Sequence, residues 1–150
     1  MFRMFCVVAL TVSAWSAHAQ VSEPRPPAAS GQVTFLYFND LAKADTFYGE
    51  TLGLEKEFDL EWVKIYKLSP SSSVGLVNAT GGAHKPSADK PVMVSMVVER
   101  SEVDTWWKYL KAKGVDVGES PGAEGDGAVR AFGFKDPEGY SLEVFAWVNK

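Results

Sequence analysis

Few side chains in this sequence are equipped for covalent or metal chemistry, and their positions narrow the field early. The chain has one cysteine, Cys6, and two histidines, His18 and His84. His84 lies in Gly81-Gly82-Ala83-His84-Lys85-Pro86, a glycine-rich stretch that reads as a loop. It serves either as a ligand or base swung in from that loop or as a solvated loop residue, and the second reading is favoured. Glu143 stands in the run Tyr140–Trp147, where Leu142 and Val144 alternate with Ser141, Glu143 and Phe145. Strand alternation puts the last three on one face, away from the apolar pair. A carboxylate desolvated there would accept a hydrogen bond from a ligand cation or hydroxyl, or act as a base with a raised pKa. It would equally serve as the ion-pair partner of Arg130 on an adjacent strand, and the two roles are compatible. Pro121–Gly127 is rich in glycine but lacks the Gly-Lys-Ser/Thr ending of a phosphate loop, so it reads as a flexible connection.

The first residues belong to a different physical regime. Arg3 precedes an apolar run, Phe5 to Ala17, that is short for a bilayer, and Ala17-His18-Ala19 offers a small-x-small site. This pattern predicts a secretory signal peptide over 1–19, a Pro/Ala/Ser-rich spacer over 20–31, and a periplasmic or secreted mature protein. Cys6 and His18 leave with the signal, so the mature chain has no disulfide, thiolate nucleophile or sulfur-rich metal site. The full chain carries 15 Lys and Arg against 19 Asp and Glu, and loss of Arg3 takes the net charge from −4 to −5. With no basic cluster, nucleic acid is not an expected partner, nor is a membrane surface after cleavage.

The remainder reads as one strand–helix–strands pattern written twice. Val33 to Phe38 is β-branched and aromatic, Asn39-Asp40 offers a helix cap, and Leu41, Ala44, Phe47, Tyr48 and Leu52 follow at helical spacing up to Gly53. Strand-like runs follow at Leu54 to Leu60, Trp62 to Leu68 and Ser73 to Asn78. The second half repeats the order: a strand over Val92 to Glu99, a capping-box-like Ser101 to Asp104, and a helix with Val103, Trp106, Trp107 and Leu110 on its apolar face, closed by Gly114. Strands are then predicted at Val115 to Gly118, Ala128 to Phe134 and Tyr140 to Trp147, the last two joined by a turn at Asp136-Pro137-Glu138-Gly139. The fold class is α+β: two tandem βαβββ modules, about 32–79 and 91–148 with a linker at 80–90, forming a curved sheet cup with helices on its outer face.

Phe38-Asn39-Asp40, Phe47-Tyr48, Leu52-Gly53-Leu54, Lys113-Gly114-Val115 and Asp136 to Glu143, in this order, resemble the vicinal-oxygen-chelate superfamily of glyoxalases, bleomycin-resistance proteins and extradiol dioxygenases. The resemblance spans Gln32 to about Trp147. It implies metal ligands on the first strand of each half and on the last strand of the second, of which only Glu143 matches. Val33 and Met93 stand where relatives carry His or Gln, and Gly75 is nearest an optional fourth position. Valine and glycine bring no donor and a thioether suits hard or borderline cations poorly. No cofactor is therefore expected, and a divalent metal, held by Glu143 if by anything, is not supported by these positions.

Alternation places Phe35, Tyr37, Met93 and Phe145 on the cup wall with polar Ser95 and Glu143, joined by Trp62 and, as an ion-pairing or ligand cation, Arg130. Aromatic walls with few polar groups suit a small aromatic or hydrophobic ligand. The expected function is binding of such a molecule by an exported, metal-free protein of the bleomycin-resistance kind. The alternative is a glyoxalase-like lyase or isomerase, or a dioxygenase, using Glu143 as metal ligand or base. A third reading is an interaction module whose cup a partner closes, and a homodimer is compatible with all three.

Overall fold

The β-branched and aromatic run at the start of the domain forms β1, Gln32–Phe38. Asp40 then caps α1, Leu41–Thr46, its carboxylate accepting from the Lys43 N–H at 2.9 Å. The helix continues as a π-helical turn, Phe47–Thr51, and the chain turns out of it at Gly53, whose φ of 70° is open to glycine. Strands β2 (Lys56–Leu60), β3 (Val63–Ser69) and β4 (Ser72–Asn78) complete the first module, in sheet order β1-β4-β3-β2 with β1 and β4 parallel. The second module follows the same plan. It contains β5 (Met93–Val97), a 3-10 turn at Arg100–Glu102 leading into α2 (Val103–Ala112), β6 (Gly122–Glu124), β7 (Val129–Lys135) and β8 (Ser141–Trp147). Its sheet order is β5-β8-β7-β6. The computed structural model describes residues 27–124 and 127–148; the signal peptide expected over 1–19, and the spacer up to residue 26, lie outside the described residues.

Two local expectations are corrected. The capping box belongs to Glu99 and Glu102, because Glu99 is extended (φ −66°, ψ 146°) and can face the first turn, whereas Ser101 lies inside the 3-10 turn. Val115 to Gly118 is not a strand. Val117 buries its side chain in the core there, and the second strand of the module is Gly122–Glu124, inside the glycine-rich stretch, pairing with Val129–Ala131.

Both helices pack on one face of their sheets. Leu36, Phe38, Val74 and Leu76 meet Leu41, Ala44, Tyr48 and Leu52 in the first module, and Val94, Phe132, Phe134, Leu142 and Val144 meet Val103 and Leu110 in the second. These residues form one continuous cluster, with each large buried side chain contributing roughly 1.5–3 kcal/mol. The helices also meet: the Tyr109 hydroxyl lies against Gly53, and Lys113 reaches the Glu50 carbonyl.

The Asp136–Tyr140 turn joins the modules. Glu138 accepts from the Asp40 N–H at 2.7 Å and from the Asn39 amide at 3.1 Å, and Lys90 lies 3.8 Å from the same carboxylate. Buried Asp136 accepts from the N–H groups of Glu138 and Tyr140 and from the Tyr48 hydroxyl. Its carboxyl is pushed above the ordinary range by burial, against the opposing effect of these hydrogen bonds.

Candidate functional site

With the helices on one side, the opposite face of each sheet stays uncovered, and strand register determines what stands there. On the first sheet, Val33, Phe35 and Tyr37 of β1 pair with Ser73, Gly75 and Val77 of β4. On the second, Met93, Ser95 and Val97 of β5 pair with Ser141, Glu143 and Phe145 of β8. Large apolar side chains are left in solvent on both faces, including Phe35 at 48% exposure, Met93 at 58% and Val97 at 60%.

Phe35 lays its ring on Gly75. A Cβ at Gly75 would come within 2.3 Å of Phe35 Cδ1, so the glycine is the seat of the ring. Tyr37 is half-buried and meets His84 edge to face, with ring centroids 5.3 Å apart. The linker approaches closely here. A Cβ at Gly82 would lie 2.4 Å from the Tyr37 ring, and one at Gly81 would lie 2.6 Å from Trp62 Cβ. His84 is thus an exposed loop residue that docks on a wall aromatic, and Trp62 stands in the β2–β3 turn beside the same linker.

On the second face, the Ser95 hydroxyl donates to Glu143 at 2.8 Å, and Phe145 meets Trp147 edge to face. Arg130 is not with them. Its register partner is Ala146, which is buried, so Arg130 faces the helix side and holds Asp104 of α2 in two hydrogen bonds of 2.7 and 2.8 Å. This pairing raises Arg130 and lowers Asp104 from their ordinary pKa values, the Arg130 hydrogen bond being the main cause at Asp104. The expected Glu143–Arg130 ion pair is therefore replaced by Ser95–Glu143. Lys135, hydrogen-bonded to Ser141 at 2.6 Å on the same face as Glu143, escaped the sequence reading of the site. The alternation of Gly133 and Lys135 with Phe132 and Phe134 was the signal for it.

A divalent cation does not fit this donor set. Val33, Met93 and Gly75 provide no oxygen or nitrogen side-chain donor, and the side chain directly opposite Glu143 is the Ser95 hydroxyl. Among the described residues, no three His, Cys, Asp or Glu side chains are gathered where they could hold an ion.

The same two-module arrangement recurs in solved structures. A glyoxalase/bleomycin resistance protein/dioxygenase from Nocardioides superposes with a TM-score of 0.67 at 24% identity, covering 86% of this chain and 88% of that one. A lactoylglutathione lyase from Agrobacterium tumefaciens gives 0.64 at 24% identity, with 81% and 96% covered. An integron cassette protein from the mobile metagenome of Halifax Harbour Sewage Outfall gives 0.62 at 26% identity, with 77% and 97% covered. A search of the curated proteins finds no match. The model of one family matches residues 30–144, from just ahead of β1 into β8, and so takes in both modules and the turn that joins them. The chain belongs to the Glyoxalase/Bleomycin resistance protein/Dioxygenase superfamily.

Proposed function

We propose that this chain is an exported, metal-free member of the superfamily that binds a small aromatic or hydrophobic molecule in the cleft between its modules. One observation carries the reading. At the position nearest the optional fourth ligand of metal-dependent relatives, Gly75 instead seats the Phe35 ring, and that ring remains half in solvent. A fixed, exposed aromatic surface beside Tyr37 suits stacking, while Glu143 and Ser95 provide a hydrogen-bonding group. Export rests on the features of residues 1–19.

The test has two parts. The mature protein, expressed without added metal, should contain no stoichiometric Zn, Ni, Mn or Fe by elemental analysis, and finding one would overturn the metal-free reading. Calorimetric titration with indole or 2-naphthol should give saturable binding, and Phe35→Ala should weaken it by roughly threefold to tenfold. The lyase or dioxygenase reading predicts instead metal-stimulated turnover that collapses in Glu143→Gln.

A second reading, a homodimer, is favoured by one specific observation. Val33, Phe35, Phe58 and Leu60 on the first open face, and Met93, Val97 and Trp147 on the second, are all exposed. The edge strands β1 and β5 border those faces. A second copy covering them would remove a large apolar surface from water. Light scattering across a concentration series tests this, and a monomer throughout would dismiss it.

A further inference from the structure

The second open face carries a recess outside the aromatic wall. Strand β6 pairs only with Val129–Ala131, so Gly133 and Lys135 lie beyond its end. A hollow of about 470 Å³ opens there, lined by Met93, Gly133, Lys135 and Ser141 together with Asp116 and Gly118 of the preceding loop. Gly133 leaves space, since a Cβ there would meet nothing closer than the Leu142 carbonyl oxygen at 3.6 Å.

Lys135 lines that space together with Asp116, and Glu143 stands beside it, next to Gly133 on the same face. Lys135 donates to the Ser141 hydroxyl, and Glu143 accepts from the Ser95 hydroxyl. Neither forms an ion pair among the described residues, and Asp116 of the lining is occupied by the Gly118 N–H. Lys135 pairs in register with Ser141, and Glu143 with Gly133, so the two charges are diagonal neighbours on one face. Such neighbours lie about 7 Å apart at Cβ. The arrangement is a cation and an anion, each steadied by a serine, beside a glycine-floored gap.

We propose that this recess binds the head group of an amino-acid-like zwitterion. The ligand carboxylate would sit on Lys135 and Ser141, its ammonium on Glu143, and its apolar side chain along Met93. The proposal rests on the small-molecule reading above and names the ligand class for it. A zwitterion matches both charges in a single molecule, whereas a neutral aromatic would leave both without a counter-charge.

Calorimetric titration of the mature protein with L-phenylalanine, phenylacetate, phenethylamine and neutral indole provides the test. L-Phenylalanine should bind roughly tenfold or more tightly than phenylacetate or phenethylamine, each of which lacks one charge-assisted contact. Lys135→Gln should weaken L-phenylalanine and phenylacetate but leave phenethylamine unchanged, and Glu143→Gln should weaken L-phenylalanine and phenethylamine but leave phenylacetate unchanged. Both substitutions lie on the open face, and circular dichroism checks that each variant folds. If indole binds while L-phenylalanine shows no advantage over its fragments, the zwitterion proposal fails and the aromatic reading stands. If L-phenylalanine and indole both fail to bind, both readings fall.

Discussion

The Tyr140 hydroxyl stands in for a neighbouring strand on the outer edge of β1, accepting from the Tyr37 N–H at 3.1 Å and donating to the Tyr37 carbonyl at 3.0 Å. The two residues are 103 positions apart, one in each module. Because β4 pairs with the other edge of β1, these main-chain groups are otherwise left without a strand partner. One phenol oxygen thereby satisfies both and ties the second module to the first.

Tyr140→Phe keeps the ring, which packs against Phe38 at 5.3 Å, and deletes only that oxygen. Leaving the Tyr37 donor and acceptor unpaired should cost about 1–3 kcal/mol. Urea unfolding should show a lower midpoint with an unchanged slope. An unaltered midpoint would mean that water replaces the hydroxyl at no cost.

Asp136 predicts a pH signature. Its folded pKa is raised by burial above the 3.8 of an ordinary carboxyl, so the fold holds that proton more tightly than the unfolded chain does. The stabilisation is complete below the unfolded value and is lost as pH rises through the raised one. Asp136→Asn does not titrate and should be the less stable protein, because its amide cannot accept from the Tyr48 hydroxyl and both main-chain donors as the carboxylate does. Its deficit should therefore narrow as pH is taken from about 4 to about 7. A deficit that widens with pH would contradict the assignment.

Arg130 and Asp104 titrate in the opposite sense. The guanidinium holds the Asp104 carboxyl below its ordinary range, so the pair's contribution is present above the unfolded pKa and lost as pH falls through the lowered one. Arg130→Met should lower the thermal midpoint at neutral pH and approach the wild type in acid. Because Arg130 faces the helix, the variant should bind open-face ligands as the wild type does. A large loss of affinity would place Arg130 in the site after all.

Gly75→Ala drives a methyl group into the Phe35 ring, 2.3 Å from Cδ1. Overpacking of this kind costs about 1–3 kcal/mol unless the ring moves. Adding Phe35→Ala should recover most of that loss, as a double-mutant cycle would record. Two independent, additive penalties would show that the ring does not sit on the glycine.

Much of the fold was legible because its signals are local. Asp40 followed by Leu41 and Ala44, and the β-branched run ending at Phe38, are patterns of period and capping that act within a few residues. The errors arose where local signals compete. Val115 to Gly118 looks like a strand but buries Val117 without entering a sheet, while Gly122–Glu124 has weak intrinsic preference and becomes a strand because β7 offers an edge to it. Ser101 was the better cap by residue type, and Glu99 took the role by backbone conformation.

For the site, alternation by itself determined that Phe35, Ser95, Glu143 and Phe145 leave the core side, since a pleated strand must send neighbours to opposite faces. That Val33 and Met93 stand at metal-ligand positions is what the family resemblance implies, not what alternation shows. Tertiary structure alone decided the partners: Ser95 for Glu143, Asp104 for Arg130, Gly75 beneath Phe35 and Tyr140 at the edge of Tyr37. The reason is that pairing depends on register between segments far apart in the chain, and a shift of one residue reverses every face. No local periodicity encodes that register; the packing of both helices and the Asp136–Tyr140 turn sets it.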